Sequence, residues 1–160
     1  MNEWSSFFSA IVSASATLTG LIFVGVSISL NRVLSIPVMP TRALNALALL
    51  VGVLLASILC LIPFQKVFML GIELFILGVA IWVLTFFLGK DSLKKIDEEY
   101  KKMGVLDFIT TQLSVIFYPV SGIIILFTDL TGIYWLIPGI VISIIKAILD
   151  AWVLLIEIHR

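Results

Sequence analysis

The chain has 160 residues, of which 61% are hydrophobic and only 12% charged, about half the charged share of an ordinary soluble domain. Ten basic residues balance ten acidic ones, so there is no cationic excess to neutralise phosphates, which argues against nucleic-acid binding. The single cysteine, Cys60, leaves no partner for an intrachain disulfide and reads as a small buried hydrophobe.

The apolar residues fall in five runs, each near the roughly 20 residues that a helical membrane span needs. The first covers residues 5–30. No positive region precedes it and it is longer than the core of a cleaved signal, so it reads as a retained span. Pro37 and Pro40 stop one helix and start the next. The second span covers 42–62 and ends at Pro63. A tight turn at 63–66 leads into the third, 67–88. Residues 90–104 are the only strongly polar segment, with Asp91 as a candidate N-cap and Gly104 as a candidate C-cap. Leu93, Ile96, Tyr100 and Met103 share one face. Asp91/Lys95, Asp97/Lys101 and Glu98/Lys102 are spaced for i,i+4 pairs, so the segment is predicted as a short amphipathic helix on the cytoplasmic side, lying on the membrane surface or extending the third span. The fourth span is 105–128, with Pro119 inside it, and the fifth is 134–158.

The predicted fold is all-α: one polytopic membrane bundle, 1–160, of about five transmembrane helices. Lipid-exposed backbone has no water to satisfy it, and the period-2 alternation of a barrel is missing. With the N-terminus outside, the inner segments carry Arg32, Arg42, Lys90, Lys94, Lys95, Lys101, Lys102 and Arg160, against Lys66 alone outside. The positive-inside bias therefore predicts N-out and C-in, with Trp4, Tyr134 and Trp135 at the outer interface.

Three spans carry polar faces. On the first, Ser9, Ser13, Ala16, Gly20, Ser27 and Asn31 share a face with Thr17 beside it, which suits close helix packing or a hydrated surface. On the fourth, Asp107, Thr111, Ser114, Tyr118 and Ser121 form a stripe with Gln112 just off it. On the fifth, Gly139, Ser143, Lys146, Asp150 and Glu157 align. Lys146 falls near the midplane and Asp150 one turn further in. Charges at that depth are costly and normally face the bundle interior in pairs. Lys146 and Asp150 are spaced to pair directly, but the Lys-then-Asp order is the weaker one on a lone helix. That leaves room for a partner on another helix, for which Tyr118 and Thr17 have the right depth. Small residues also line the second span (Gly52, Ala56, Cys60) and the third (Gly71, Gly78, Thr85, Gly89). Glu73 on the third is a further acid candidate that could simply reach the outer interface.

No catalytic, cofactor or metal constellation is present. His159, next to the C-terminus, is the only histidine, and no serine has a base suited to activating it. An enzyme is therefore not expected. Phe7-Phe8 with the run Ser-Ala-Ser-Ala-Thr-Leu-Thr-Gly-Leu-Ile-Phe-Val-Gly-Val-Ser (13–27), together with Tyr-Trp-Leu-Ile-Pro-Gly (134–139) and Ala-Trp-Val-Leu-Leu-Ile-Glu-Ile (151–158), resembles a group of small prokaryotic multi-pass membrane proteins with no assigned activity. The resemblance implies a cytoplasmic-membrane protein and gives no residue a role. The functional expectation is a homo-oligomeric channel or transport protein for a small ion or solute, with Lys146, Asp150, Tyr118, Thr17, Ser13 and Ser143 as candidate polar-site residues. The other expectation is a non-transporting accessory protein docked on a larger membrane complex.

Overall fold

The computed structural model describes residues 2–96 and 98–158. Asp97, His159 and Arg160, and the side chain of Glu157, lie outside what is described, so the proposed Asp97/Lys101 pair and the roles at the C-terminus do too. The described chain is all-helical: α1 (Asn2–Ile28), a single short helix α2 (Leu30–Ser35), α3 (Met39–Leu61), α4 (Val67–Lys95), α5 (Lys101–Phe127) and α6 (Ile133–Ile158). Five of these helices are long and apolar enough to cross a membrane.

Local sequence explains the breaks. Pro40 occupies the first turn of α3, where its missing N–H costs nothing. Pro63 follows α3 and forces Ile62 into an extended conformation. Between α3 and α4 the turn needs a left-handed residue, and Phe64 takes φ 58° there, fully exposed.

The first half of the polar segment 90–104 extends the third span, one of its two expected forms. Among the described residues the segment is the end of α4, a 3-10 turn at Glu98–Tyr100 and the start of α5, rather than a separate surface helix. Asp91 lies inside α4 rather than capping a helix, and Gly104 lies inside α5. The physical reason is that α4, at 29 residues, is about 44 Å long. It outruns a hydrocarbon core of roughly 30 Å, so its last turns carry the charges. Asp91 pairs with Lys95 as spaced, whereas Lys101 pairs with Glu98 one residue closer than the i,i+4 partner expected.

Helices α3, α4, α5 and α6 close into a four-helix ring, each packed on the next and α6 back on α3. Helix α1 lies outside this ring against α3 and barely meets α6. Only 11% of its span is buried, against 28–44% for the other four. Three apolar tiers run along the bundle. The first gathers Phe8, Val53, Leu74, Tyr118 and Leu136. The second gathers Leu49, Leu50, Ile81, Val115 and Ala147. The third gathers Val33, Met39, Ala43 and Leu154. Trp4 stacks edge-on to Tyr134 at 5.1 Å, tying the two N-terminal ends of α1 and α6 together. Midway, α1 and α6 diverge and leave an apolar groove of about 240 Å³ between Leu18–Val26 and Ile148–Leu154.

Glycines set the closest contact, between α4 and α5. A Cβ on Gly122 would stand 2.6 Å from the Phe75 backbone nitrogen, and one on Gly78 would meet Pro119. The outer surface is covered with large apolar side chains, among them Leu21, Phe23, Ile28, Phe87, Leu106 and Trp152. Such a surface cannot rest in water as a monomer and is compatible with a multi-pass membrane protein.

Candidate functional site

The polar stripe of α5 and that of α6 face each other inside the ring. Thr111, Ser114, Tyr118 and Ser121 on α5 are buried, as are Ser143, Lys146 and Asp150 on α6. Because the helices run antiparallel, the stripes meet in reverse order. Asp107 stands opposite Lys146, Tyr118 opposite Ser143, and Ser121 opposite the start of α6. The Tyr118 hydroxyl donates to Ser143 Oγ at 3.1 Å, and Ser121 Oγ donates to the Gly132 carbonyl at 2.8 Å. Gly139 allows this closeness, since a Cβ there would lie 2.8 Å from that of Phe117.

Lys146 is the centre of the arrangement. Its ammonium lies 2.5 Å from Asp150 Oδ1 on its own helix and 2.7 Å from Asp107 Oδ1 on α5. Lys146 and Asp150 are 6% and 3% exposed, while the side chain of Asp107 is 29% exposed. One ammonium between two carboxylates leaves a net negative charge. Arg42 on α3 offsets it, lining a cavity beside Asp107 and lying within electrostatic reach of Asp150. Two acids and two bases make the cluster neutral, which an apolar interior requires.

Around the charges runs a second layer of amides and hydroxyls. Asn45 Nδ2, one turn along α3 from Arg42, donates to Thr111 Oγ1 at 3.3 Å. Thr111 in turn donates to the Asp107 carbonyl at 2.9 Å. Gln112 Nε2 lies 3.5 Å from Thr85 Oγ1 of α4. Thr41 Oγ1 reaches Asp91 Oδ2 at 3.4 Å where the cluster opens toward the basic end. Several buried atoms make no hydrogen bond within the described residues, among them Asp150 Oδ2, Asn45 Oδ1, Gln112 Oε1, Arg42 Nε and, on α3, Ser57 Oγ. Four of the five belong to the charge cluster or the polar layer around it.

Of the six residues singled out in the sequence, the structure gathers four. Lys146 and Asp150 form the ion pair, and Tyr118 and Ser143 form a hydrogen bond one turn away. The partner of Lys146 on another helix is Asp107, not Tyr118 or Thr17. Ser13 and Thr17 lie on the exposed face of α1, with hydroxyls bonded to the carbonyls of Ser9 and Ser13. Gly20 and Gly25 on the same helix have nothing within 4 Å of a Cβ position. Arg42 and Asn45 are the members that sequence reading passed over. Their signal was present, since Arg42, Asn45, Gly52 and Ala56 fall on one face of α3. Glu73 accepts a hydrogen bond from Gln65 at the other end of the bundle, well away from this cluster.

Removing the Tyr118 hydroxyl tests the link next to the ion pair. Tyr118→Phe keeps the ring that fills the first tier and leaves Ser143 Oγ without its donor. Thermal unfolding in detergent should show a loss of about 1 kcal/mol.

Fold and site together define an all-helical protein with five helices of membrane-spanning length and a neutral charge cluster enclosed by four of them. No group of three metal-ligating side chains occurs among the described residues. No known family, curated protein or solved structure matches the chain.

Proposed function

We propose that the protein is a multi-pass membrane transport protein, N-terminus outside, and that a small ion is handled by the cluster of Asp107, Lys146, Asp150 and Arg42. The carrying observation is Lys146 clasped between two carboxylates inside the four-helix ring. A single charge in a bilayer interior costs about 2.5–3.5 kcal/mol on insertion scales, and apolar packing in place of a buried ion network is often as stable or more so. A structural brace alone is a poor reason to bury the Lys146–Asp150 pair there, with Asp107 and Arg42 beside it toward the basic end. Beyond Lys146 the polar groups continue toward the opposite end through Ser143, Tyr118 and Ser121, so the path lies within one bundle. The test is flux in proteoliposomes under imposed proton, sodium, potassium and chloride gradients. Wild-type protein should dissipate at least one gradient faster than protein-free vesicles, and Lys146→Met should not. Silence under every gradient rejects transport.

The second reading is an accessory protein, with the outward face of α1 docked on another copy or a larger membrane complex. It is favoured by the exposed small residues Ser13, Ala16, Thr17 and Gly20, which no other helix of the bundle covers. Cross-linking from that face should capture a neighbour if this reading holds, and a monomer on gentle extraction counts against it.

Orientation has its own test. In a Cys60→Ala background, Phe64→Cys, in the α3–α4 turn, should react with an impermeant maleimide added outside intact cells. Lys94→Cys should react only after the membrane is opened. The reverse pattern inverts the topology.

A further inference from the structure

The cavity beside Asp107 narrows the choice of ion. It is bounded by Arg42 and Asn45 of α3, Gly89 and Ser92 of α4, and Asp107 and Thr111 of α5. Its volume is about 20 Å³, and one water needs roughly 10–15 Å³ on that measure. A hydrated metal ion or an organic solute does not fit. Two residues of its lining carry orphaned buried atoms, Arg42 at Nε and Asn45 at Oδ1, and Asn45 is 8% exposed.

We infer that this cavity is a single-water proton-access site, and that Asp107 is the group exchanging protons between the basic end of the bundle and the buried Lys146–Asp150 pair. The inference rests on the transport reading for its purpose and names the proton as the species handled. Three observations carry it. The cavity is about 20 Å³, room on the scale of a water molecule. Arg42 stays protonated at any working pH and repels a metal cation from the same space. Exposure falls from Asp107 to Lys146 and Asp150, which puts Asp107 first in line from solvent.

The step balances simply. Water in the cavity gives a proton to a carboxylate oxygen of Asp107 as it takes one from a hydronium outside the mouth, forming the acid O–H and leaving neutral water in the cavity. The neutral acid no longer holds Lys146 electrostatically, so the ammonium is shared with Asp150 alone. Charge in the cluster rises by one, and returning the proton to water restores it. The other charged groups near the site are Arg42 from α3 and, from α4, Asp91 with Lys94 and Lys95 at the mouth.

Two measurements on the purified full chain test this. The first is proteoliposome flux, followed with an internal pH dye and separately with radioactive sodium, rubidium and chloride. Wild-type protein should move protons. Asp107→Asn should cut that rate roughly a hundredfold, the scale of losing a positioned proton-transfer group, whereas Glu98→Gln on the surface should leave it unchanged. The second is infrared titration, in which a carboxylic-acid band should rise as pH falls and be lost in Asp107→Asn but kept in Glu98→Gln. Flux of another ion without protons overturns the proton inference and keeps transport. A titrating Asp107 band with no flux of any kind removes transport and leaves a proton-binding site. No Asp107 band, or undiminished proton flux in a folded Asp107→Asn protein, overturns the inference outright.

Discussion

Lys146→Met should destabilise the bundle by about 3–5 kcal/mol, the cost of stranding buried charge when one partner of an ion pair is removed. The reason is the geometry of the clasp. Asp107 and Asp150 both lie against the Lys146 ammonium, so without it two carboxylates face each other in a space of low dielectric. Arg42 alone cannot hold both. Equilibrium unfolding in mixed detergent micelles measures the loss. Adding Asp107→Asn and Asp150→Asn to Lys146→Met removes the stranded charges, and most of the lost stability should return. That triple variant is the informative protein. It should be folded, near wild type in stability, and silent in flux. A stable triple variant that still moves ions would place the path elsewhere, whereas one as unstable as the single variant would make the charges a brace after all.

The part of this cluster that could be read in the sequence was the part written along single helices. Lys146 and Asp150 are one turn apart, and the stripe from Asp107 to Ser121 keeps helical spacing, so both faces were visible before any packing was known. Which stripe met which was not visible. Depth pointed to Tyr118 and Thr17 for Lys146, because a fourth span of 105–128 puts Asp107 at its inner end rather than near the midplane. The ring order α3–α4–α5–α6 decides the matter, and it comes from glycine-mediated approaches that hydropathy does not record. Thr17 failed for a related reason. Its face of α1 is as polar as the stripe of α5, but hydroxyls bonded to their own helix carbonyls need no partner and can face outward. Arg42 was hidden by position, since a basic residue in the first turn of a span ordinarily marks the interface. At 90–104 charge patterning fits the protruding end of a long helix as well as a separate surface helix, so the sequence left both forms open.

Gly122→Ala should be among the most damaging single-methyl additions available in this chain. The added Cβ would sit 2.6 Å from the Phe75 nitrogen, 2.8 Å from the Gly71 carbonyl oxygen and 2.9 Å from the Phe75 Cα. All three are backbone atoms, so no side chain can swing aside and α4 and α5 must separate. Overpacking of this kind costs typically about 1–3 kcal/mol, and a clash against backbone belongs at the upper end. Gly89→Ala offers a graded comparison, because its added carbon meets the ring of Phe108, a side chain rather than backbone, and the loss should be smaller. Gly20→Ala is the contrast on α1. Nothing lies within 4 Å of that position, so the change should stay within about 0.5 kcal/mol. Measured together by thermal unfolding in one detergent, the three should rank Gly122, then Gly89, then Gly20. Equal losses at Gly122 and Gly20 would mean that α1 is packed against something as tightly as α4 is against α5. A Gly20→Ala protein that unfolds like wild type but shifts in oligomeric size would instead assign the small-residue face of α1 to association between chains, leaving the four-helix ring to hold the charges by itself.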